Sequence, residues 1–358
     1  MSKVLRVGVL GQGRSGHDIH VAYLRQAPDR YQVVAVADQM PERWEARDQL
    51  GAKAYSDYRD LLKDRSLALD LVVNALPSYL HPKANIEALN MGYHIVGEKP
   101  AARTVKDFDR VVQAAKKSRR HYFPFQNSRF YPFFAKMREV IDSGKLGKIV
   151  YIRSNWSGFA RRWDWQTHQE YWGGNLLNTG PHPMDQAIVL FGGKAPKVFA
   201  RLVSENPFGD AENFVMVTLY GKGAPTIEIM INSFQAYPQG EQYNVCGTLG
   251  GLTASPKEMK WKYFDPAKAP DHEFKGEWSD KRQYCREPLE WIEESWTAPA
   301  GGESFDILSK GFYDEVYNVM VNGAKPVITH SQVRRQIAVM EECHRQNKMA
   351  RKKKHFLR

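Results

Sequence analysis

The chain has 358 residues, 42% of them apolar and 12% aromatic, which excludes a disordered scaffold and, at roughly 100–200 residues per domain, suggests two domains. Basic residues exceed acidic ones by 11, but six of them (Lys348, Arg351, Lys352, Lys353, Lys354 and Arg358) form a terminal stretch without a single acid. The remaining charge of about +5 is a weak footprint for a specific nucleic-acid binder and suits an anionic cofactor.

Three widely spaced cysteines, Cys246, Cys285 and Cys343, give neither a disulfide framework nor a metal-ligand spacing, so no metal is expected and a reducing, cytoplasmic compartment is. The first residues lack a signal-peptide pattern. No window approaches the roughly 18 uninterrupted apolar residues of a membrane span.

In chain order, short continuous apolar runs predict strands at 4–10, 31–37, 69–76, 93–96 and 122–125. Helical patterns lie between them at 15–26, 43–50, 57–63, 82–90 and 105–116. Strand and helix in steady alternation predict an α/β fold with a doubly wound parallel sheet over residues 1–125, both faces covered. Right-handed crossovers place its ligand crevice at the carboxyl ends of the strands.

Beyond residue 125 the rhythm changes. Helices are predicted at 133–142, 183–190, 312–321 and 331–346, and strands at 148–156, 214–220, 226–233 and 243–247. Residues 126–347 therefore read as a second α/β domain with an open, mostly antiparallel sheet, followed by a basic tail at 348–358. Residues 256–301, rich in Lys, Asp, Pro and Trp, show no clean period and read as a long loop with at most one strand. Phe312, Val316 and Val319 share a helical face, the signature of core packing.

The first strand runs directly into Gly11-Gln12-Gly13-Arg14-Ser15-Gly16 and a helix. The first glycine permits a tight turn, the second lets the backbone approach a pyrophosphate, and the third lets helix and strand pack closely. Asp38 lies 22 residues past Gly16 at the end of the second strand, where a carboxylate accepts hydrogen bonds from ribose hydroxyls and repels a 2′-phosphate. Gln39 and Met40 supply no arginine to attract one, so NAD is favoured over NADP.

Two further segments end strands at the expected crevice: Asn74-Ala75-Leu76-Pro77, leading to His81, and Gly97-Glu98-Lys99-Pro100. A lysine there can polarise a substrate hydroxyl, although most lysines are solvated surface charges. In Gly173-Gly174-Asn175-Leu176-Leu177-Asn178-Thr179-Gly180-Pro181-His182-Pro183-Met184-Asp185, His182 opens a helix and shares a face with Asp185. Such a histidine can act as a general base, while a lone histidine is more often structural.

With these motifs the chain resembles the Gfo/Idh/MocA oxidoreductase family, which includes glucose–fructose oxidoreductase, inositol dehydrogenases and many sugar dehydrogenases. The matching pieces are 11–16, 75–81, Glu98-Lys99-Pro100, Gln126-Asn127-Ser128-Arg129-Phe130, Leu146-Gly147 and 173–185. The resemblance implies an N-terminal Rossmann domain and a C-terminal open sheet that makes homodimer or homotetramer contacts. It implies a nicotinamide cofactor held by Gly11, Gln12, Gly13, Arg14, Ser15, Gly16, Asp38, Ala75, Leu76, Pro77, His81, Glu98, Lys99 and Asn127. It also implies a cis Lys99–Pro100 bond, and Lys99 and His182 flanking the reacting hydroxyl of a sugar or polyol.

One position departs from the pattern: where the family commonly has Asp four residues before the histidine, this chain has Asn178. An amide can orient an imidazole but adds no charge to stabilise an imidazolium, so His182 is expected to be the weaker base and Lys99 to take more of the proton transfer.

The segment Trp156-Ser157-Gly158-Phe159-Ala160-Arg161-Arg162-Trp163-Asp164-Trp165 combines aromatic faces for sugar rings with guanidinium groups for hydroxyls or anions. Read functionally, Arg161, Arg162, Trp163 and Trp165 join Lys99, Asn178, His182 and Asp185 as substrate contacts; read structurally, its tryptophans pack between domains. A glycoside, cyclitol, sugar acid or nucleotide sugar would suit it, with no membrane or specific nucleic-acid partner. The expected reaction is hydride transfer from a ring C–H, for example at C3, to NAD, with Asn178 orienting the catalytic pair. Two alternatives remain: redox-neutral glycoside cleavage through transient oxidation by tightly bound NAD, and a non-catalytic NAD-binding regulator.

Overall fold

The computed structural model describes residues 3–237, 240–272, 286–302 and 304–350; Cys285 and residues 351–358 of the basic tail lie outside them. The first sheet contains β1 (Leu5–Leu10), β2 (Tyr31–Ala37), β3 (Lys53–Tyr55), β4 (Leu71–Asn74), β5 (His94–Gly97) and β6 (Tyr122–Pro124). All six run parallel, in the order β3-β2-β1-β4-β5-β6. The four central apolar runs are legible because helices cover both faces. β3 is not, because three residues are too few to establish a period.

The order reverses direction beside β1, where Leu10 pairs with Asn74 of β4. Loops leaving these two strand ends diverge to opposite faces of the sheet, and the gap between them is the crevice of a doubly wound fold.

The second sheet contains β7 (Ile149–Asn155), β8 (Lys197–Val203), β9 (Phe214–Tyr220), β10 (Thr226–Asn232), β11 (Tyr243–Gly247), β12 (Gly250–Ala254), β13 (Glu258–Phe264) and β14 (Trp291–Thr297). Its order is β14-β13-β12-β11-β7-β10-β9-β8. Every pairing is antiparallel except β7 with β10. The segment 256–301 thus corrects the expectation of a loop with at most one strand, since it contributes both β13 and β14. In β13, Met259 and Trp261 point inward, alternating with exposed Glu258, Lys260 and Lys262. β14 is an edge strand exposed along most of its length, so burial imposed no apolar period on it.

Two cores form. The helix Phe305–Asn322 sends Phe312, Tyr313, Val316 and Val319 into the first, although that helix is far from the parallel sheet in sequence. The Tyr31 hydroxyl donates to the Tyr313 carbonyl (2.6 Å) and Tyr317 to that of Lys3 (2.9 Å), pinning the helix there. The last helix, His330–Gln346, starts with a Thr329 capping box and joins both cores, Val333 and Ile337 entering the first and Val339, Met340 and Cys343 the second. Burial of each such Val, Ile or Met side chain contributes about 1.5–3 kcal/mol, so this helix fastens the two cores together. Among the described residues no helix is long and apolar enough to cross a membrane.

Candidate active site

The crevice at the carboxyl ends of β1, β2, β4 and β5 has a volume of about 830 Å³. On the β1 side the glycine turn forms its floor. Gly11 has φ +85°, and a Cβ there or at Gly16 would collide with the carbonyl oxygen of Ala75 or of Gly11, respectively. Gly13 differs: a Cβ on it would meet nothing closer than the Arg43 guanidinium at 4.0 Å. Internal packing therefore requires the outer two glycines, while the middle one keeps crevice space open for a phosphate against backbone N–H groups. The following segment, Ser15–Val21, is wound as a π-type helix, a form concentrated at functional sites.

Asp38 stands at the end of β2, its Oδ2 accepting from the Gln12 backbone N–H (2.8 Å) and its Oδ1 from that of Met40 (3.0 Å). The glycine turn and the carboxylate are thus one unit, and spare lone pairs face the crevice. Arg43, five residues on, brings Nη1 to 3.7 Å from Asp38 Oδ2; sequence inspection of Gln39 and Met40 alone misses this cation. Asn127 is buried with its Oδ1 unpartnered on the crevice wall. An orphaned buried acceptor costs about 1–3 kcal/mol, so a donor from a bound amide would suit it. Open backbone at Gly13, a carboxylate at the ribose position and an unpartnered acceptor together fit a nicotinamide dinucleotide.

On the opposite side, β5 delivers Glu98 and Lys99, and the Lys99–Pro100 peptide is cis, as the resemblance implied. Glu98 is almost fully buried. Burial alone would raise its pKa, but the adjacent His20 imidazole and the charge of Lys99 hold it near 2. Its Oε2 accepts from the Lys99 backbone N–H (2.8 Å). His20 faces Glu98 Oε1 at 3.3 Å and meets the Tyr313 hydroxyl at 2.7 Å, linking the cofactor-side helix, the lysine turn and helix Phe305–Asn322. His81 lies between the carbonyls of Pro100 (2.9 Å) and Leu76 (2.7 Å), where it ties two crevice loops together.

Lys99 Nζ donates to the backbone carbonyl of Asn178 (3.0 Å). Burial lowers its pKa from the ordinary lysine range; Glu98 opposes this and the charges of Arg14 and Arg162 add to it. His182 lies alongside, its ring nearly parallel to the Trp156 indole with centroids 6.1 Å apart. Burial first, then the positive charge of Lys99, pushes its pKa down to about 3. The imidazole is therefore neutral at physiological pH, and its Nδ1 is hydrogen-bonded to the Ser128 hydroxyl at 2.6 Å.

The structure brings Gly11, Gly13, Arg14, Ser15, Asp38, Ala75, Leu76, Pro77, His81, Glu98, Lys99, Asn127, Arg162, Trp165, Asn178 and His182 to the crevice. Gln12 and Gly16 shape its floor from behind. Three expected substrate contacts are placed elsewhere. Arg161 lies over the Phe208 ring at 5.5 Å, and Trp163 is 78% exposed. Asp185 does share a helix face with His182, but that face packs against the turn Asn127–Phe130, where its carboxylate forms a buried bidentate ion pair with Arg129. A buried arginine needs a compensating anion, which takes Asp185 out of the substrate space.

Sequence reasoning named Ser128 only within the 126–130 motif, without a role, and missed Glu212. Glu212 is buried behind Gly174, where a Cβ would strike its carboxylate, and it accepts from the Leu176 backbone N–H (3.0 Å). Burial raises its pKa to about 7. It fixes the short turn that carries Asn178, but lies outside the glycine motif in sequence.

Residues 5–125 match the model of an oxidoreductase family with an NAD-binding Rossmann fold, and residues 134–253 match the GFO/IDH/MocA C-terminal domain. The chain belongs to the GFO/IDH/MocA family of oxidoreductases, and its N-terminal domain is of the NAD(P)-binding Rossmann type. An uncharacterised oxidoreductase of Schizosaccharomyces pombe is 30% identical, the match covering 52% of each protein, so this chain spans about half of that relative. The myo-inositol 2-dehydrogenase of Thermotoga maritima is 29% identical over 70% of this chain and 75% of its own. The WlbA dehydrogenase of Bordetella pertussis, solved with NADH and UDP-GlcNAcA, superposes with a TM-score of 0.73 over 96% of each chain at 22% identity, a likeness of fold.

Proposed function

We propose that this protein is an NAD-dependent dehydrogenase acting on a ring hydroxyl of a sugar, glycoside or cyclitol. The observation that carries the reading is the convergence of Lys99, with its lowered pKa, and neutral His182 on one crevice wall opposite the open glycine floor. Gly13, Asp38 and Asn127 would hold the cofactor, which when bound supplies a hydride acceptor at its nicotinamide ring. Asp38 supports NAD over NADP, because a carboxylate at the ribose position repels a 2′-phosphate, and Arg43 at 3.7 Å is already paired with it.

The chain's own residues handle the proton and the orientation. Lys99 in its neutral form takes the hydroxyl proton of the substrate, aided by a depressed pKa that keeps this form accessible. His182 Nε2 hydrogen-bonds the same oxygen. Trp165 and Arg162 border the space beyond them and grip the remaining ring hydroxyls. The outward face of the second sheet exposes Phe199 and Tyr220, which supports pairing into a homodimer or homotetramer.

The test is NAD reduction with purified protein against inositols, free sugars, glycosides and nucleotide sugars, with product analysis in parallel. A keto product with stoichiometric NADH is expected. Aglycone release without net NADH would replace this reading with redox-neutral cleavage, and cofactor binding with no turnover would replace it with a regulatory role.

A further inference from the structure

His182 would be expected to take its orientation from position 178, one helical turn before it. The structure does otherwise. Asn178 offers its backbone carbonyl to Lys99, and the imidazole Nδ1 takes the hydroxyl of Ser128, 54 residues away in sequence, at 2.6 Å. Ser128 is itself held without play. Its backbone carbonyl accepts from Gln186 Nε2 (2.7 Å), and Gln186 Oε1 accepts from the buried Tyr243 hydroxyl (2.5 Å). The adjoining Arg129 grips Asp185 and also donates to Gln332 Oε1 (2.7 Å). His182, Asp185 and Gln186 follow the i, i+3, i+4 spacing of one helix face, so three successive contacts bind that face to the turn 127–130.

We propose that Ser128 is the positioning residue of His182, its hydroxyl standing in for a carboxylate and holding the neutral ring with its proton on Nε2; this rests on the dehydrogenase reading above. A carboxylate beside Nδ1 only accepts, which fixes Nδ1–H and favours an imidazolium. A hydroxyl both donates and accepts. When Ser128 donates to Nδ1, Nε2 carries the proton and donates to the substrate oxygen. In the other tautomer Nε2 has only a lone pair, which an oxygen giving its single proton to Lys99 cannot use, so the arrangement with Ser128 donating is the working one. That one tautomer serves oxidation and reduction alike, as the two directions of a single step, without a charge on the ring. The other polar groups facing His182 agree: protonated Lys99 disfavours an imidazolium, Glu98 lies against His20 and accepts from the Lys99 backbone, and Arg129 is neutralised by Asp185.

The test combines turnover with nitrogen NMR of the histidine rings in the full-length protein. Ser128→Ala should redistribute the Nδ1 and Nε2 signals of His182 and lower kcat by about 10- to 100-fold with little change in KM, the mark of an interaction made mainly in the transition state. Ser128→Thr, which keeps the hydroxyl, should restore kcat to within about threefold. In a His182→Ala background, Ser128→Ala should add no further loss, because a partner of the ring has nothing left to orient. A loss that persists without the ring, or unchanged ring signals in Ser128→Ala, overturns the proposal. If no substrate on the panel turns over yet the ring signals respond, the positioning contact stands and the dehydrogenase reading falls.

Discussion

The two ends of the crevice are built in different ways. The cofactor end is made of backbone: a turn whose three glycines fall within six residues, with one carboxylate locked onto it by the Gln12 N–H. The reacting end is made of side chains from separate segments, with Lys99, Ser128, Trp156 and His182 meeting only because β5, the turn 127–130, the end of β7 and helix Pro181–Phe191 converge. A backbone site depends on local conformation and is broken by added volume. A side-chain site depends on convergence and is tuned by charge.

The sharpest way to separate the two is Lys99→Met. Removing the proton acceptor should lower kcat by about 10²- to 10⁴-fold while cofactor affinity, read by calorimetry, changes little; parallel collapse of both would merge the two ends into one functional unit. Next in size is a contrast within the glycine turn. Gly16→Ala sets a Cβ against the Gly11 carbonyl and should lower the melting temperature of the free protein by several degrees, as a strained core position costs about 1–3 kcal/mol. Gly13→Ala, with nothing within 4 Å but the Arg43 tip, should leave that temperature almost unchanged and weaken cofactor binding about tenfold or more. Equal melting shifts for the two variants would erase the distinction between packing and binding glycines.

The smallest expected effect concerns charge. Asn178→Asp places a carboxylate beside Lys99 and His182 and favours the charged form of both, so their depressed pKa values rise. Because Lys99 must be neutral to accept the proton, the basic pKa of turnover should move upward and the rate at neutral pH should fall. A pH–rate profile that superposes on the wild type would show that the charge at 178 does not reach the reacting end.

How much was legible follows the same division. The continuous apolar runs of β1, β2, β4 and β5 and the glycine turn could be read directly, since each is specified within a few residues. The spacing of His182 and Asp185 was read correctly as one helix face, but what that face meets was not. Only the fold shows that it packs on 127–130 and that Asp185 neutralises Arg129. Arg161 and Trp163 share the aromatic, basic character of Arg162 and Trp165, and composition cannot tell which of them turn inward. β14 escaped because an edge strand exposed on most of its length needs no apolar alternation.

The sequence by itself determined the parallel α/β architecture, the dinucleotide turn and the lysine and histidine available for chemistry, because local backbone preference and burial write these into short windows. Tertiary structure alone decided that helix Phe305–Asn322 completes the first core, that Arg43 reaches Asp38, and that a serine rather than residue 178 steers His182. Those outcomes depend on which distant surfaces pack together, and close packing sets the distances between side chains that share no local pattern.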